Sequence, residues 1–231
     1  IAALMGGTTT IIDFVTPSRG QSMVEALKAR LDEAACSLVD YTFHVSPIEW
    51  NKNTPKEIEE CIEMGFPSFK VYMAYKSSVG IDDNALYHVM HTVAQNGGMV
   101  TAHCEMGDDI DTLRDFYASQ GLTAPKYHML SRPPRFEALA VKRAIDLADQ
   151  TQCPLYIVHV SAAESVKHII QAQKSGQPLY AETCPQYLLL DEALYDSSLP
   201  EAIKYVISPP LRQSIDRDTL WNAINNGNIL T

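Results

Sequence analysis

The sequence predicts an α/β fold with a parallel sheet, and three observations support this prediction. Short runs of apolar or β-branched residues alternate with amphipathic helical segments along the chain. The short runs are apolar on both faces, as in parallel strands that helices cover. Several helical segments end at glycine, a residue that commonly terminates an α-helix. Together these observations predict a repeated strand–helix unit.

Six strands are predicted in order along the chain, each separated from the next by helical sequence. The predicted strands cover 8–14, 39–45, 68–75, 99–105, 154–160 and 178–184. Apolar residues recur at helical spacing in the segments between them. These helical segments are SMVEALKARLDEAAC, PKEIEECIEMG, NALYHVMHTVAQNGG, RFEALAVKRAIDLADQ and SAAESVKHIIQAQKSGQ.

Two architectures contain such a repeat: an open doubly wound sheet and a closed (β/α)8 barrel of the TIM type. No strand is followed by a Gly-x-Gly-x-x-Gly or Walker-type loop, so the nucleotide-binding open sheets lose support. A polar residue lies near the C-terminal end of each strand, as the mouth of a barrel active site requires. We therefore predict a TIM-like barrel that is present in part, with about six βα units. The polar residues are Asp13, His44, Lys70, His103, His159 and Glu182.

Composition excludes several classes of function. The 231 residues are 46% hydrophobic and carry a formal net charge of -10, which disfavours nucleic acid as a partner. No apolar run approaches the roughly 18 residues of a membrane span, and no secretory leader is recognisable, so we expect a cytoplasmic protein without membrane association. The five cysteines form no Cys-x-x-Cys pair, which predicts free thiols rather than disulfides or a thiolate zinc site.

Alternation along the strands decides which polar side chains meet at the mouth. If His103 faces the barrel axis, Cys104 points toward the surrounding helices and is a poor ligand candidate. The same rule lets Lys70 face the axis, and it places His159 on the face of Ile157. Lys70, His103 and His159 could therefore meet.

Lys70 is the misfit in this group, because an ammonium has no lone pair and repels a cation. One interpretation is a buried ion pair with Asp13, Glu105 or Glu182. The other is chemical: burial and a nearby cation depress the pKa of the amine, which reacts with carbon dioxide to form an anionic carbamate. A carbamate has two oxygen atoms and can bridge two metal ions. Spacing alone leaves both interpretations open.

The other polar candidates receive structural interpretations. We expect His88, His91 and His168 to be ordinary helix residues, and His128 to form hydrogen bonds in the loop before SRPP. His44 could line the mouth. Asp13 and Glu182 could stand in for a missing ligand or pair with Lys70.

Six motifs together resemble the hydantoinase/dihydropyrimidinase family of cyclic amidohydrolases. They are spread over most of the chain in the order of the family, and their combination is specific although each piece alone is not. The motifs are SFKVYMAYK, MVTAHCEMGD, HMLSRPP, PLYIVHVSAAES, ETCPQYLLL and SPPLR.

The resemblance implies a barrel of the metal-dependent hydrolase type with two zinc ions, and the opening of a hydantoin or dihydropyrimidine ring to an N-carbamoyl amino acid. It implies that Lys70 is carboxylated and bridges the metals, and that His103 and His159 bind the second one. Tyr75 matches the tyrosine that hydrogen-bonds the oxyanion, and Ser208 matches the serine whose main chain holds the substrate. The resemblance also implies a homotetramer.

Two departures from the family pattern concern the first metal. Its His-x-His pair occurs nowhere in the sequence, and the aspartate that serves as general base is absent too. We therefore expect residues 1–231 to be a partial catalytic domain that lacks the first and last barrel strands and the small β domain. Alone, this chain is expected to be inactive.

Two alternatives remain. An allantoinase- or dihydroorotase-like enzyme would share the chemistry, but the position of Tyr75 favours the hydantoinase type. A metal-free relative that acts in assembly, similar to the collapsin response mediator proteins, would lack the lysine and histidines that this chain keeps.

Overall fold

The computed structural model describes residues 1–230 and contains one six-stranded parallel sheet. The strands are β1 Thr10–Val15, β2 Asp40–Val45, β3 Ser68–Tyr72, β4 Met99–His103, β5 Leu155–Ile157 and β6 Leu179–Ala181. The helices are α1 Ala2–Met5, α2 Met23–Ala34, α3 Thr54–Glu63, α4 Asp83–Gln95, α5 Gly107–Ser119, α6 Pro125–Leu130, α7 Pro134–Thr151, α8 Ala163–Lys174, α9 Pro185–Leu189, α10 Leu199–Ala202 and α11 Ser214–Asn225. Short 3₁₀ helices cover Glu192–Asp196 and Ile203–Tyr205.

The strands lie side by side in the order of the sequence, β1-β2-β3-β4-β5-β6, and every pair is parallel. A doubly wound sheet reverses its strand order at a switch point, whereas a barrel adds each strand next to the one before it. An isolated parallel bridge between Glu182 and Leu230 continues the sheet beyond β6. The predicted partial α/β barrel is therefore confirmed.

The two faces of the sheet differ in chemistry. Phe69, Val100 and Leu155 are neighbours in register across β3, β4 and β5, and all three are fully buried beneath the helices. The next residue of β3, Lys70, lies beside Thr101 on the opposite face. The helix-covered face is thus the apolar core, and the inner face carries the polar candidates.

Strands β3, β4 and β5 are shorter than the sequence predicted. β3 ends at Tyr72, β4 at His103 and β5 at Ile157, two or three residues before the predicted ends. Because these last residues lie in loops, strand alternation no longer governs where Tyr75, Glu105 and His159 point.

Helices begin where the sequence offers capping side chains. The hydroxyl of Ser22 accepts a hydrogen bond from the Val24 amide, and Asp82 accepts one from the Ala85 amide, so α2 and α4 have satisfied first turns. Within residues 1–230, no helix is both long enough and apolar enough to cross a membrane.

Candidate active site

Two histidines face each other at the C-terminal ends of β4 and β5. The Nδ1 atom of His103 lies 3.0 Å from the Nε2 atom of His159, and their ring centroids are 4.8 Å apart. On its other side, His103 Nε2 lies 2.8 Å from the Glu105 carboxylate. Both Glu105 and His103 are buried. The two histidines and Glu105 thus form a compact polar cluster on the inner face of the sheet.

The hydrogen bonds of His103 determine which of its nitrogen atoms is free. An ionised carboxylate only accepts hydrogen bonds, so His103 Nε2 carries the proton and Nδ1 keeps its lone pair. That lone pair points toward His159, whose Nδ1 atom is buried without a hydrogen-bond partner in the described structure. Two imidazoles arranged this way, with a carboxylate behind one of them, suit a divalent metal ion.

Burial keeps both imidazoles neutral, which is the form that binds metals. Burial, and then the charge of Lys70, lower the pKa of His103 to about 3. The pKa of His159 lies well below its usual value because of burial, the neighbouring His103, and Lys70. Neither ring needs to lose a proton at neutral pH before it can donate its lone pair.

Lys70 lies inside the partial barrel next to this pair. Its side chain is 2% exposed, and its ammonium lies 5.0 Å from the centre of the Tyr72 ring and 5.9 Å from that of Phe14. The buried salt bridges of residues 1–230 are His103–Glu105, Arg132–Glu105 and Arg212–Glu137, and Lys70 takes part in none of them.

Burial lowers the pKa of Lys70 to about 7, although Cys104 and Glu182 act in the opposite direction. A large fraction of the amine is therefore unprotonated at neutral pH. The ion pair proposed for Lys70 on the basis of spacing is absent from the described residues. What remains is a buried amine whose free base can act as a nucleophile.

Tyr75 covers the mouth from the loop after β3. Its ring centroid lies 5.2 Å from that of His103, and the nearby Ser208 side chain acts to lower the pKa of its phenol. Burial raises the pKa of the Tyr75 phenol, so this group remains a hydrogen-bond donor at neutral pH. The structure thus brings Tyr75 and Ser208 together, next to the histidine pair.

Tyr75 and His159 share an unusual backbone conformation. Their φ angles are 61° and 42°, in the left-handed region that residues other than glycine seldom adopt. Such conformations cost on the order of 1–3 kcal/mol and concentrate at functional sites. Alternation had placed His159 on the face of Ile157, and this placement is wrong. The left-handed turn at His159, beyond the end of β5, redirects its ring toward His103.

A buried ion pair joins three of the sequence motifs. The Arg212 guanidinium lies 3.2 Å from Glu137 Oε2 and 3.0 Å from the Ser161 hydroxyl. The Glu137 carboxylate also accepts hydrogen bonds from the Ser161 and Ala162 amides. Arg212 donates to the carbonyl of Arg132 as well. The network links SRPP, the loop after His159 and SPPLR, so these charged residues support the shape of the mouth.

Other sequence candidates lie outside this cluster. Asp13 is exposed and accepts a hydrogen bond from the Phe14 amide, so it neither pairs with Lys70 nor reaches the mouth. Glu182 accepts a hydrogen bond from the Tyr156 hydroxyl at 3.0 Å. His44 lies on the inner face, 2.7 Å from the Ser68 hydroxyl. The helical histidines are where the sequence predicted them, His88 and His91 in α4 and His168 in α8.

Glu105 and Arg132 belong to the cluster through contacts that sequence reasoning missed. His128 forms hydrogen bonds as expected, but it lies in α6 and not in a loop. The signal available was the position of Glu105 two residues after His103 and the arginine inside the proline-rich SRPP. Within residues 1–230, no group of three or more His, Cys, Asp or Glu side chains is arranged to hold a metal ion. Lys70, which lies beside the histidine pair, is not among those residue types.

The sequence matches no protein-family profile. It is 42% identical over 229 residues to a D-hydantoinase of Ralstonia pickettii, a match that covers 98% of this chain and 50% of that protein. A D-hydantoinase of Geobacillus stearothermophilus is 41% identical over 233 residues, covering 100% of this chain and 50% of that protein. The chain spans about half the length of the curated relatives it matches.

Solved structures show the same likeness. The D-hydantoinase from Bacillus sp. AR9 superposes with a TM-score of 0.96 at 40% identity, covering 99% of this chain and 50% of that one. A dihydropyrimidinase from Brevibacillus agri gives a TM-score of 0.96 at 39% identity, again over 99% of this chain and 50% of that one. The partial barrel described above therefore matches half of these solved chains closely.

Proposed function

Because this chain belongs to the hydantoinase/dihydropyrimidinase family, we propose that it carries part of an active site that opens a cyclic amide ring by hydrolysis. The substrate class is a hydantoin or a 5,6-dihydropyrimidine, and the product is an N-carbamoyl amino acid. The observation that carries the proposal is the pair of inward-facing imidazoles next to a buried lysine that has no carboxylate partner within residues 1–230. The names of the matched relatives support the same reaction.

We assign the metal ligands to Lys70, His103 and His159. His103 would use Nδ1 and His159 Nε2, the two ring atoms that face each other. A pair of zinc ions at this site would supply Lewis acidity, which activates water and polarises the amide carbonyl. The metal-dependent chemistry of the family supports this cofactor. The His-x-His pair and the aspartate that bind the first metal in the family are not among these 231 residues, so they would have to come from outside the present sequence.

Lys70 would serve as an anionic ligand after carboxylation. The lone pair of its unprotonated amine forms a bond to the carbon of carbon dioxide, and the nitrogen then releases a proton to water. The product is a carbamate with one negative charge shared by two oxygens. The depressed pKa of Lys70 supports this step, because only the free base has the required lone pair.

Tyr75 and Ser208 would bind the organic substrate. The neutral phenol of Tyr75 would donate a hydrogen bond to the oxygen of the attacked carbonyl as negative charge develops there, a contribution of about 3 kcal/mol for one such donor. The main chain at Ser208 would hold the amide edge of the ring. The proximity of the two side chains supports their common role at one end of the substrate.

Several broader properties belong to the same proposal. Residues 1–231 form a partial catalytic domain, the intact protein is a cytoplasmic homotetramer, and the 231-residue chain alone has no activity. The free state of all five cysteines agrees with a reducing compartment. Sedimentation velocity of the longest natural polypeptide that contains this sequence would test the tetramer.

The decisive variant is Lys70→Ala in that longest polypeptide. We expect the unaltered protein to hold about two zinc ions per chain and to show a carboxyl adduct in intact mass measured under gentle conditions. Lys70→Ala should lose the adduct, most of the zinc and ring-opening activity together. Lys142→Ala, which alters an exposed lysine paired with Asp146, is the matched control.

The substrate panel should contain both enantiomers of a 5-substituted hydantoin, together with dihydrouracil, allantoin and dihydroorotate. Turnover of allantoin or dihydroorotate in preference to the others would favour the alternative cyclic amidohydrolases. Full activity of Lys70→Ala would refute the carbamate, and no zinc in the unaltered protein would favour a metal-free relative.

A further inference from the structure

We propose that His128, held by Arg132, is a positioning residue that fixes the substrate-holding segment Ile207–Ser208 against Tyr75. The inference rests on the proposed function, because it assigns the support of the substrate contact made by that site. His128 lies in α6, far along the chain from this segment. Its Nε2 atom is 2.9 Å from the Ile207 carbonyl oxygen and 3.2 Å from the Ser208 hydroxyl.

The stretch 207–211, which contains the Ile207–Ser208 segment, needs support from side chains because its own backbone provides none. Between 207 and 211, the described structure has no hydrogen bond from one backbone group to another. Pro209 and Pro210 have no N–H group to donate. Side chains hold the segment instead: Tyr187 donates to the Pro209 carbonyl at 2.6 Å, and the Leu211 amide donates to the Tyr195 hydroxyl at 3.0 Å.

His128 supports the N-terminal end of the stretch 207–211, where Ser208 lies. The Pro209 and Leu211 contacts lie beyond that serine, on the side away from Ile207. Without His128, the Ile207 carbonyl would lose its donor, and Ser208 would be anchored only from its C-terminal side. Since the Ser208 side chain lies close to the Tyr75 phenol, movement of the serine would also change the surroundings of the tyrosine.

Arg132 selects the tautomer that His128 needs. Its Nη1 atom lies 3.2 Å from His128 Nδ1, and a guanidinium can only donate hydrogen bonds. His128 Nδ1 therefore accepts, and the proton of the neutral ring is on Nε2, from which it is donated to the Ile207 carbonyl. Burial and the charge of Arg132 both lower the pKa of His128, which favours this neutral form.

Arg132 also connects this support to the proposed metal side of the mouth. It is buried, its Nε atom lies 3.9 Å from Glu105 Oε2, and that carboxylate is the hydrogen-bond partner of His103. Its backbone carbonyl accepts from Arg212. The Arg132 Nε atom has no hydrogen-bond partner among the described residues, so the ion pair with Glu105 is a long one. The arginine is nevertheless buried, and its contact with His128 does not depend on a mobile surface group.

The experiment compares two substitutions, each of which places a side-chain amide at the position of one of the two ring nitrogens. In His128→Gln the side-chain amide can reach the place of Nε2 and donate to Ile207. In His128→Asn the shorter amide reaches only the place of Nδ1. His91→Asn, at an exposed histidine of α4, is the matched control. All variants are made in the longest natural polypeptide that contains this sequence, and loaded with zinc.

Steady-state kinetics on the hydantoin and dihydrouracil substrates should show an effect mainly on KM. His128→Asn removes one buried hydrogen bond and should therefore raise KM by about tenfold. kcat should fall less, because the contact at Ser208 binds the ground state and the transition state alike. His128→Gln should stay within about threefold of the unaltered protein, and bound zinc should be unchanged in both.

Hydrogen exchange of the Val206 and Leu211 amides, the hydrogen-bonded amides on either side of Ser208, supplies a readout that does not need catalysis. Exchange should be at least about fivefold faster in His128→Asn than in His128→Gln or His91→Asn. Nitrogen NMR of the His128 ring in the unaltered protein should show the proton on Nε2. This measurement needs no variant, so it remains a test if a substitution prevents folding. A proton on Nδ1 would overturn the assignment.

The outcomes separate the two proposals. If no cyclic amide is turned over but exchange responds as expected, the proposed function fails and the positioning role stands. If the unaltered protein is active while neither KM nor exchange responds to His128→Asn, the positioning role is wrong and the function stands.

Discussion

At the scale of the residue, backbone strain marks the candidate site. Tyr75 and His159 are two of the three non-glycine residues with positive φ among residues 1–230, and the third, Gln152, terminates α7. A left-handed C-cap is an ordinary feature of helices. The other two have no such local role, so their cost must be offset by the contacts that their side chains make at the mouth. Each strained residue turns one ring toward His103.

Glu105 provides a test of how His103 is held. Glu105→Ala should weaken zinc binding by about 10–100-fold, because the hydrogen bond that orients a metal-binding imidazole is lost. Glu105→Gln keeps an acceptor for His103 Nε2 and should lose less. Competition with a chromophoric chelator measures the affinity, and Glu63→Ala, at an exposed position in α3, is the control. Unchanged zinc affinity in a folded Glu105→Ala protein would contradict the role of this carboxylate.

At the scale of the element, the loop between β3 and α4 carries Tyr75, and a tight turn gives it its shape. The Gly80 amide donates to the Tyr75 carbonyl at 2.9 Å, and the Ile81 amide donates to the Tyr72 carbonyl at 3.0 Å. A Cβ atom at Gly80 would lie 2.1 Å from the Ala74 carbonyl oxygen. The turn therefore closes only around a residue without a side chain.

Gly80→Ala should open this loop while leaving the sheet intact. Steric overlap in a packed site costs about 1–3 kcal/mol, so trypsin should cleave after Lys76 at least about fivefold faster. The control is Gly6→Ala, where the added Cβ would meet its nearest atoms at 3.5 Å. Limited proteolysis followed by mass spectrometry identifies the cut. Equal cleavage of the two variants would show that the close approach at Gly80 does not shape the loop.

At the scale of the whole molecule, the partial barrel leaves its first strand at an edge of the sheet. β1 pairs with β2 on one side, and the described residues supply no partner on the other. Ile11, Ile12 and Phe14 are 37%, 52% and 39% exposed, although the sequence of β1 is that of a buried strand. Unpaired apolar edge strands favour association with other chains.

The isolated 231-residue chain should therefore self-associate as its concentration rises. Ile12→Lys places a charge on the exposed edge strand and should reduce the association. Leu139→Lys changes an apolar residue of α7 with 42% exposure and should not. Sedimentation velocity over a range of concentrations distinguishes the two. Equal self-association of both variants would show that another surface is responsible.

The sequence could predict the fold and part of the site because both depend on local patterns. Helical and strand periods, glycine at helix ends and polar residues at strand ends indicated the parallel sheet and its order. They also placed Lys70 and His103 on the inner face, where strand alternation holds. The motifs added Tyr75 and Ser208, which the structure brings together.

Alternation failed at His159, because β5 ends at Ile157 and a left-handed residue then reverses the direction of the side chain. Nor could spacing reveal that Lys70 lacks a carboxylate partner in the described part of the chain, or that His128 meets Ser208 across 80 residues. These facts depend on which loops pack together at the ends of neighbouring strands. Residues close in the sequence determined the periodicity of the chain, and with it the sheet and its faces. Contacts between distant segments exist only after the chain packs, and the tertiary structure alone decided them.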